Sequence, residues 1–163
     1  MKGLFRSRPT RILKLAFRAP IYLYRLELGW LLGHRFLLLI HQGRTSEHVY
    51  HTVLEVVRYD RATKESVVLS GWGARADWYR NIKANPALEI WTAGERYIPQ
   101  QRFLAPEENH ALISEYASNH SLAFQFLARV FGYPLGGTEA ERRTFAESLR
   151  LVAFRPKNEV DEL

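Results

Sequence analysis

Between Phe36 and Ser70 the chain sets strand-like segments one after another with only short polar connections between them. Phe36 to Ile40 is an unbroken apolar run, short enough for a buried strand. Gly43 to His48 is polar and turn-like. Tyr50 to Tyr59 mixes Val, Leu, Thr and Tyr and reads as a second strand. Asp60 to Lys64 reads as a hairpin loop, and Ser66 to Ser70 as a third strand, ended by Gly71-Trp72-Gly73. Strands in such runs, not alternating strictly with helices, favour an antiparallel sheet or small barrel over a doubly wound parallel sheet.

The rest of the chain fits that frame. Gly29 and Gly33 bracket the end of a first helical region, and Ala76 to Ala84 reads as a helix stopped by Asn85-Pro86. Leu88 to Thr92 and Arg96 to Leu104 predict a hairpin around Ala93-Gly94, with Pro99 demoting part of the second strand to an edge or bulge. Helices are expected from Pro106 to about Ser118 and from Ser121 to Phe131, the latter ended by Gly132 and Pro134. A short helix from Thr138 and an apolar strand from Leu149 to Phe154 follow. The expectation is an α+β fold: a small antiparallel barrel of about six strands with flanking helices. Residues 19–155 form one domain, and a solvated tail follows from Pro156 to Leu163.

At 163 residues the chain is long enough for one domain with a real core. It has no cysteine, which excludes a disulfide scaffold, a cysteine nucleophile and thiolate metal sites. The net charge of +6 resides in residues 1–18, where Lys2, Arg6, Arg8, Arg11, Lys14 and Arg18 stand without an acid. The remaining basic residues are matched by the 17 acids, so the domain itself is neutral. A nucleic-acid reader normally carries its charge as a patch on the folded body, and none is expected as a partner. Bases interrupt positions 1–18 throughout, so a signal peptide is excluded. Arg25, Glu27, His34 and Arg35 interrupt the best apolar stretch, so a membrane span is excluded too.

Arg11, Lys14, Arg18 and Arg25 lie on one stripe of a helix, opposite Ile12, Leu13, Ala16, Phe17, Leu23 and Tyr24. This amphipathic arm either packs on the domain or touches an anionic membrane surface or acidic partner. The expectation is a cytoplasmic location with peripheral contact at the inner face of a membrane.

Dinucleotide fingerprints, phosphate loops, zinc-protease helices and nucleophile elbows are all absent from the sequence. His48 and His51 are the one close histidine pair, with no third ligand candidate nearby, so no metal site is expected. The informative stretch is Ser70 to Pro86. Its glycines let a planar ligand or a phosphate approach the backbone, and the following helix start offers free N–H groups. Trp72, Trp78 and Tyr79 could wall a flat ring, or Trp78 and Tyr79 could simply fill the core. Gly43-Arg44-Thr45-Ser46 adds a turn, a guanidinium and hydroxyl donors suited to phosphate.

In this order and spacing the two segments resemble the deazaflavin-dependent nitroreductase family, which includes quinone reductases. The resemblance runs from about Pro20 to Phe131. It rests on Pro20-Ile21-Tyr22-Leu23-Tyr24-Arg25, on Phe36 to Ile40 leading into Gly43-Arg44, and on Thr52 to Asp60. Its strongest part is Ser70-Gly71-Trp72-Gly73 followed by Ala76-Asp77-Trp78-Tyr79-Arg80-Asn81 and Asn85-Pro86. The resemblance implies a split β-barrel, similar to FMN-binding barrels, that binds coenzyme F-420. It implies that Arg44, Thr45 and Ser46 bind the coenzyme's phosphate and acidic tail. Ser70, Gly71, Trp72 and Gly73, with Trp78, Tyr79 and Asn81 behind them, would hold the deazaflavin ring. The implied activity is hydride transfer to a small-molecule electron acceptor: a quinone, a nitro compound or another conjugated molecule. The cofactor carries the hydride, so no side-chain nucleophile is required and no catalytic residue is assigned. Barrels of this family are often dimers, and apolar strand faces would permit a homodimer here.

The loop after Gly43-Arg44 departs from the family pattern, which continues with Lys, then Ser or Thr, then Gly, and further arginines. Here it reads Thr45-Ser46-Glu47-His48-Val49-Tyr50-His51. Each lost charge-assisted hydrogen bond is worth roughly 1.5–3 kcal/mol, about a tenfold loss in affinity or more. FMN is therefore the alternative cofactor, and a flavin, haem or lipid-like ligand held without catalysis is the alternative function.

Overall fold

The computed structural model describes residues 22–71, 73–119 and 138–157. Its core is a seven-stranded antiparallel sheet in the order β5-β4-β1-β2-β3-β7-β6. The strands are β1 (Phe36–Gln42), β2 (Val49–Asp60), β3 (Glu65–Ser70), β4 (Glu89–Thr92), β5 (Glu95–Tyr97), β6 (Pro99–Phe103) and β7 (Arg150–Pro156). The helices are α1 (Asp77–Ala84), α2 (Pro106–Asn119) and α3 (Glu139–Ser148). A 3-10 segment, Gly29–Arg35, leads into β1.

The expected single strand from Arg96 to Leu104 is two strands, and this is why there are seven rather than about six. β5 and β6 lie at opposite edges of the sheet, yet only Ile98 separates them in sequence. One residue cannot span an open sheet, so the sheet is rolled until its edges nearly meet. Pro99 has no N–H to offer and opens β6 at that seam, and the Ile98 carbonyl accepts from Lys157 N–H just beyond β7 (3.1 Å). A bulge between Val56 and Arg58 bends β2 and assists the roll. β7 reaches Pro156, one residue beyond the expected domain end.

Side chains alternate across the wall with period two. Leu37, Leu39, Leu54, Val56, Val68, Ile90, Val152 and Phe154 form one buried cluster inside the barrel. On the outer wall Leu38 and Ile40 pack with Tyr24, and Val57, Val67, Leu151 and Ala153 pack under Leu112, Ile113 and Tyr116 of α2 and Ala146 of α3. Burial on both faces explains why Phe36 to Ile40 reads as a continuous apolar run. α3 begins at a capping box: Thr138 accepts from Glu141 N–H, and the Glu141 carboxylate accepts from Thr138 N–H.

The apolar face of α1 joins the inner cluster through Trp78, Tyr79 and Ile82. Gln101 on β6 pins its C-terminal end, donating to the Ile82 carbonyl and accepting from Ala87 N–H, both at 2.8 Å. α1 is thereby held beside the end of β1. Residues 1–21, Trp72, the expected helix from Ser121 to Phe131 and residues 158–163 lie outside the described residues. Among the described residues no helix is long and apolar enough to cross a membrane.

Candidate functional site

A cavity of about 640 Å³ opens between the β1–β2 loop and the start of α1. Its wall includes Arg44, Thr45 and Ser46 from the loop, Tyr50, His51 and Thr52 from β2, and Arg75, Asp77, Trp78 and Asn81 from the approach to α1 and its first turns. His41 of β1 also contributes to the wall.

The loop closes tightly. Gly43 N–H donates to the His48 carbonyl at 2.9 Å, and a Cβ at Gly43 would lie 2.5 Å from Ser46 Oγ and 3.0 Å from Tyr50 Cε2. A larger residue there would have to displace the Ser46 side chain and crowd the Tyr50 ring. Asn85 Nδ2 donates to the Gly43 carbonyl at 3.3 Å, tying the loop to the end of α1. At the other end of α1, Ala76 gives no side-chain cap, so the first N–H groups of the helix remain open at the cavity edge.

His41 continues the inward column Leu37–Leu39 of β1, and Thr52 continues the inward column Val56–Leu54 of β2. The top layer of the barrel is thus polar where the layers below are apolar. His41 is 2% exposed. Its Nε2 lies 3.0 Å from Thr52 Oγ1 and its Nδ1 lies 3.3 Å from Asn81 Nδ2. Asn81 Oδ1 accepts from Arg44 N–H at 3.2 Å and from Arg44 Nη1 at 3.0 Å. Arg44 Nη1 also donates to Asp77 Oδ1 at 3.1 Å. Tyr50 stacks on His41 with ring centroids 5.8 Å apart. Burial away from water lowers the His41 pKa to about 4, against the opposing pull of the Gln42 backbone. His41 is neutral at pH 7.

Of the residues singled out from the sequence, Arg44, Thr45, Ser46, Trp78 and Asn81 meet in this cavity. Ser70, Gly71, Gly73 and Tyr79 are not part of its wall. Ser70 is fully buried and donates to the Gly73 carbonyl at 2.7 Å. Gly73 takes φ +57°, which permits the turn into α1. Tyr79 is a core residue, packed edge-on against Trp78 and Phe103. Trp78 does both jobs: it is 7% exposed within the inner cluster and also lines the cavity. His41, Tyr50, Thr52, Arg75 and Asp77 were not selected from the sequence as site residues. The available signal was the phase of β1 and β2, in which a histidine and a threonine fall on the inward face.

Arg75 is exposed, and its side chain makes no hydrogen bond or ion pair among the described residues. Among the described residues, it and Arg44 give the cavity two guanidinium groups against the single carboxylate of Asp77. Hydroxyls, an open helix start and aromatic surface complete the set. This donor set fits a flat ligand that carries phosphate: the guanidinium groups and hydroxyls match the anion, and Trp78 and Tyr50 offer ring surface.

No protein-family model and no curated protein matches the chain. Solved structures do. It is similar to an F-420-H2 dependent reductase at 16% identity over 74% of this chain and 94% of that one, with a TM-score of 0.49. A protein described as a domain-swapped dimer matches at 16% identity over 87% and 99%, with a TM-score of 0.51. A pyridoxamine 5'-phosphate oxidase-related, FMN-binding protein from Nostoc punctiforme matches at 16% identity over 92% and 81%, with a TM-score of 0.49. At such identities the likeness is one of fold. The nearly closed antiparallel barrel with flanking helices accords with the split barrel that the sequence resembles.

Proposed function

We propose that the protein is an oxidoreductase that uses coenzyme F-420 to transfer hydride to a small conjugated acceptor such as a quinone or nitro compound. The observation that carries this reading is the cavity at the barrel mouth. It brings the two sequence segments of the family resemblance together, with Arg44, Arg75 and hydroxyls beside ring surface. The coenzyme, when bound, supplies the hydride. The chain's own part is to bind, orient and exclude water. Arg44 and Arg75 hold the anionic portion, Thr45 and Ser46 donate to it, and Trp78 and Tyr50 flank the ring.

FMN is the second reading, favoured by the loop itself. Arg44 already shares its Nη1 between Asp77 and Asn81, and Glu47 stands exposed on the same loop. Two guanidinium groups beside Asp77 and Glu47 suit a single phosphate better than a polyanionic tail.

Tryptophan fluorescence titration with F-420 and FMN in parallel tests both. Micromolar binding of F-420, weakened roughly tenfold or more by Arg44→Ala, supports the first reading. Preference for FMN supports the second, and binding of neither removes both. Two lesser elements of the reading have their own tests. The basic residues 1–18, followed by exposed Tyr22, Leu26, Trp30 and Leu31, suit peripheral contact with an anionic membrane. Deleting residues 1–18 should then abolish partition onto anionic vesicles. A homodimer should appear in light scattering as twice the 19.0 kDa chain mass.

A further inference from the structure

The hydrogen bonds at the barrel mouth have a direction that the donor inventory fixes. Arg44 can only donate, and two of its N–H groups meet one atom of the Asn81 amide. That atom is therefore the oxygen, and the amide nitrogen faces His41. The amide nitrogen also can only donate, so His41 Nδ1 must accept. A neutral imidazole that accepts at Nδ1 carries its proton on Nε2. Nε2–H then donates to Thr52 Oγ1 at 3.0 Å. The Thr52 oxygen accepts this bond from the protein side, and among the described residues its own hydrogen has no acceptor. Thr52 lines the cavity.

We propose that Thr52 is a dedicated hydrogen-bond donor to an acceptor oxygen of the molecule bound in this cavity, and that His41 is the positioning residue that makes it one. The inference deepens the cofactor-binding reading above and rests on it. His41 does not touch the ligand. It passes the orientation set by Arg44 and Asn81 on to Thr52, and each bond in such a chain polarises the next. Tyr50 lies alongside the imidazole, with the ring centroids 5.8 Å apart. Arg44 contributes twice: its guanidinium faces the cavity and its backbone N–H anchors the start of the relay. The ligand this selects is one that presents a carbonyl or phosphate oxygen at Thr52.

Two measurements decide it. The first is the ring ¹⁵N spectrum of His41 in the free, full-length protein between pH 5.5 and 7.5. The expected result is a neutral ring protonated at Nε2 throughout. A proton on Nδ1, or a mixture of tautomers, would overturn the proposal whatever the protein binds. The second is titration of F-420 and FMN into Thr52→Val, Thr52→Ser and His41→Gln, beside Arg44→Ala. Valine keeps the shape and β-branching of Thr52 but removes the hydroxyl. It should weaken whichever cofactor binds by roughly tenfold, while serine retains most of the affinity. Glutamine offers one donor and one acceptor as His41 does and should lose less than His41→Leu. Unchanged affinity in Thr52→Val with a clear loss in Arg44→Ala would sink this inference and leave the cofactor reading standing. If the wild-type protein binds neither cofactor, the cofactor reading fails, and the same pair of Thr52 variants is titrated with inorganic phosphate. A loss confined to Thr52→Val then upholds the donor, and equal binding overturns it.

Discussion

Two layers of one barrel, built from the same two strands and facing the same interior, are stabilised in opposite ways. In the lower layers Leu37 and Leu39 of β1 share one apolar cluster with Leu54 and Val56 of β2, and any side chains of suitable volume and apolar character would serve. One step further along each strand stand His41 and Thr52, where volume is not enough. Specific hydrogen bonds hold that layer in place, and their partners come from other elements: α1 for Asn81, the β1–β2 loop for Arg44. A packed apolar layer tolerates many sequences. A directed polar layer admits few, and it is placed where a ligand can use the direction.

The first way to press on this contrast is to damage the apolar layer. Leu39 is fully buried, and Leu39→Ala should cost about 2–5 kcal/mol of stability, read as a lowered urea midpoint. The conservative Leu39→Met should cost less than about 1.5 kcal/mol. Equal losses for the two would mean that this layer, too, depends on a unique fit.

The second is pH. A free histidine titrates near 6.5, and burial lowers His41 to about 4. Between these values the unfolded chain takes up the proton that the folded chain refuses. The unfolded state then binds more protons, so stability rises with pH across this window and is lost as pH falls from about 6.5 to about 4. The full contribution, present above pH 6.5, is at most about 3 kcal/mol. His41→Gln should flatten that part of the stability curve between pH 4 and 6.5. A slope unchanged in His41→Gln would assign it to other groups.

How far the sequence discloses each layer follows from the same contrast. The apolar strands are legible because burial on both faces leaves unbroken runs, as in Phe36 to Ile40, and because Gly43 to His48 and Asp60 to Lys64 carry turn residues at both ends of β2. α1 is legible from its stop at Asn85-Pro86. The break at Ile98 is not, because Arg96 to Leu104 keeps strand-like composition straight through it. What divides β5 from β6 is closure of the whole sheet, a long-range property. The site splits in the same way. Arg44 and Asn81 lie in segments with a local signature. His41 and Thr52 become visible only when the register pairs Leu39 with Thr52 and His41 with Tyr50 and so places both side chains on the inner face. Trp78 and Tyr79 are adjacent aromatics of one helix turn. Nothing local tells that Trp78 reaches the cavity while Tyr79 stays among Phe103 and the core.

A subtler change reverses the polar layer without altering its shape. Asn81→Asp replaces the amide that donates to His41 with an oxygen that can only accept. His41 must then carry a proton on Nδ1, either by changing tautomer or by charging. A carboxylate beside the ring favours the charged form, so the His41 pKa should rise well above about 4, toward or beyond the ordinary 6.5. Ring ¹⁵N shifts of His41 would read this directly. A ring that stays neutral with its proton on Nε2 would mean that Asn81 does not set its direction.

The smallest expected effect concerns the rim, where the contrast fades into solvent. Asp77 is 81% exposed on its side chain, and its pair with Arg44 at 3.1 Å joins two groups that water already screens. Such a pair contributes about 0–1 kcal/mol. Asp77→Asn keeps the size of the side chain at the first turn of α1 while removing a carboxylate of the cavity wall. The stability should move by less than about 0.5 kcal/mol. The affinity for a phosphate-bearing ligand should instead rise a few-fold, because Arg44 Nη1 is released from a competing acid and a like charge no longer faces the anion. The gain should shrink as salt is raised from 0.01 M to 0.15 M. If Asp77→Asn instead lowered stability as much as a change at Asn81, the rim and the relay would be one cooperative unit, and the polar layer would extend beyond the barrel mouth to the surface.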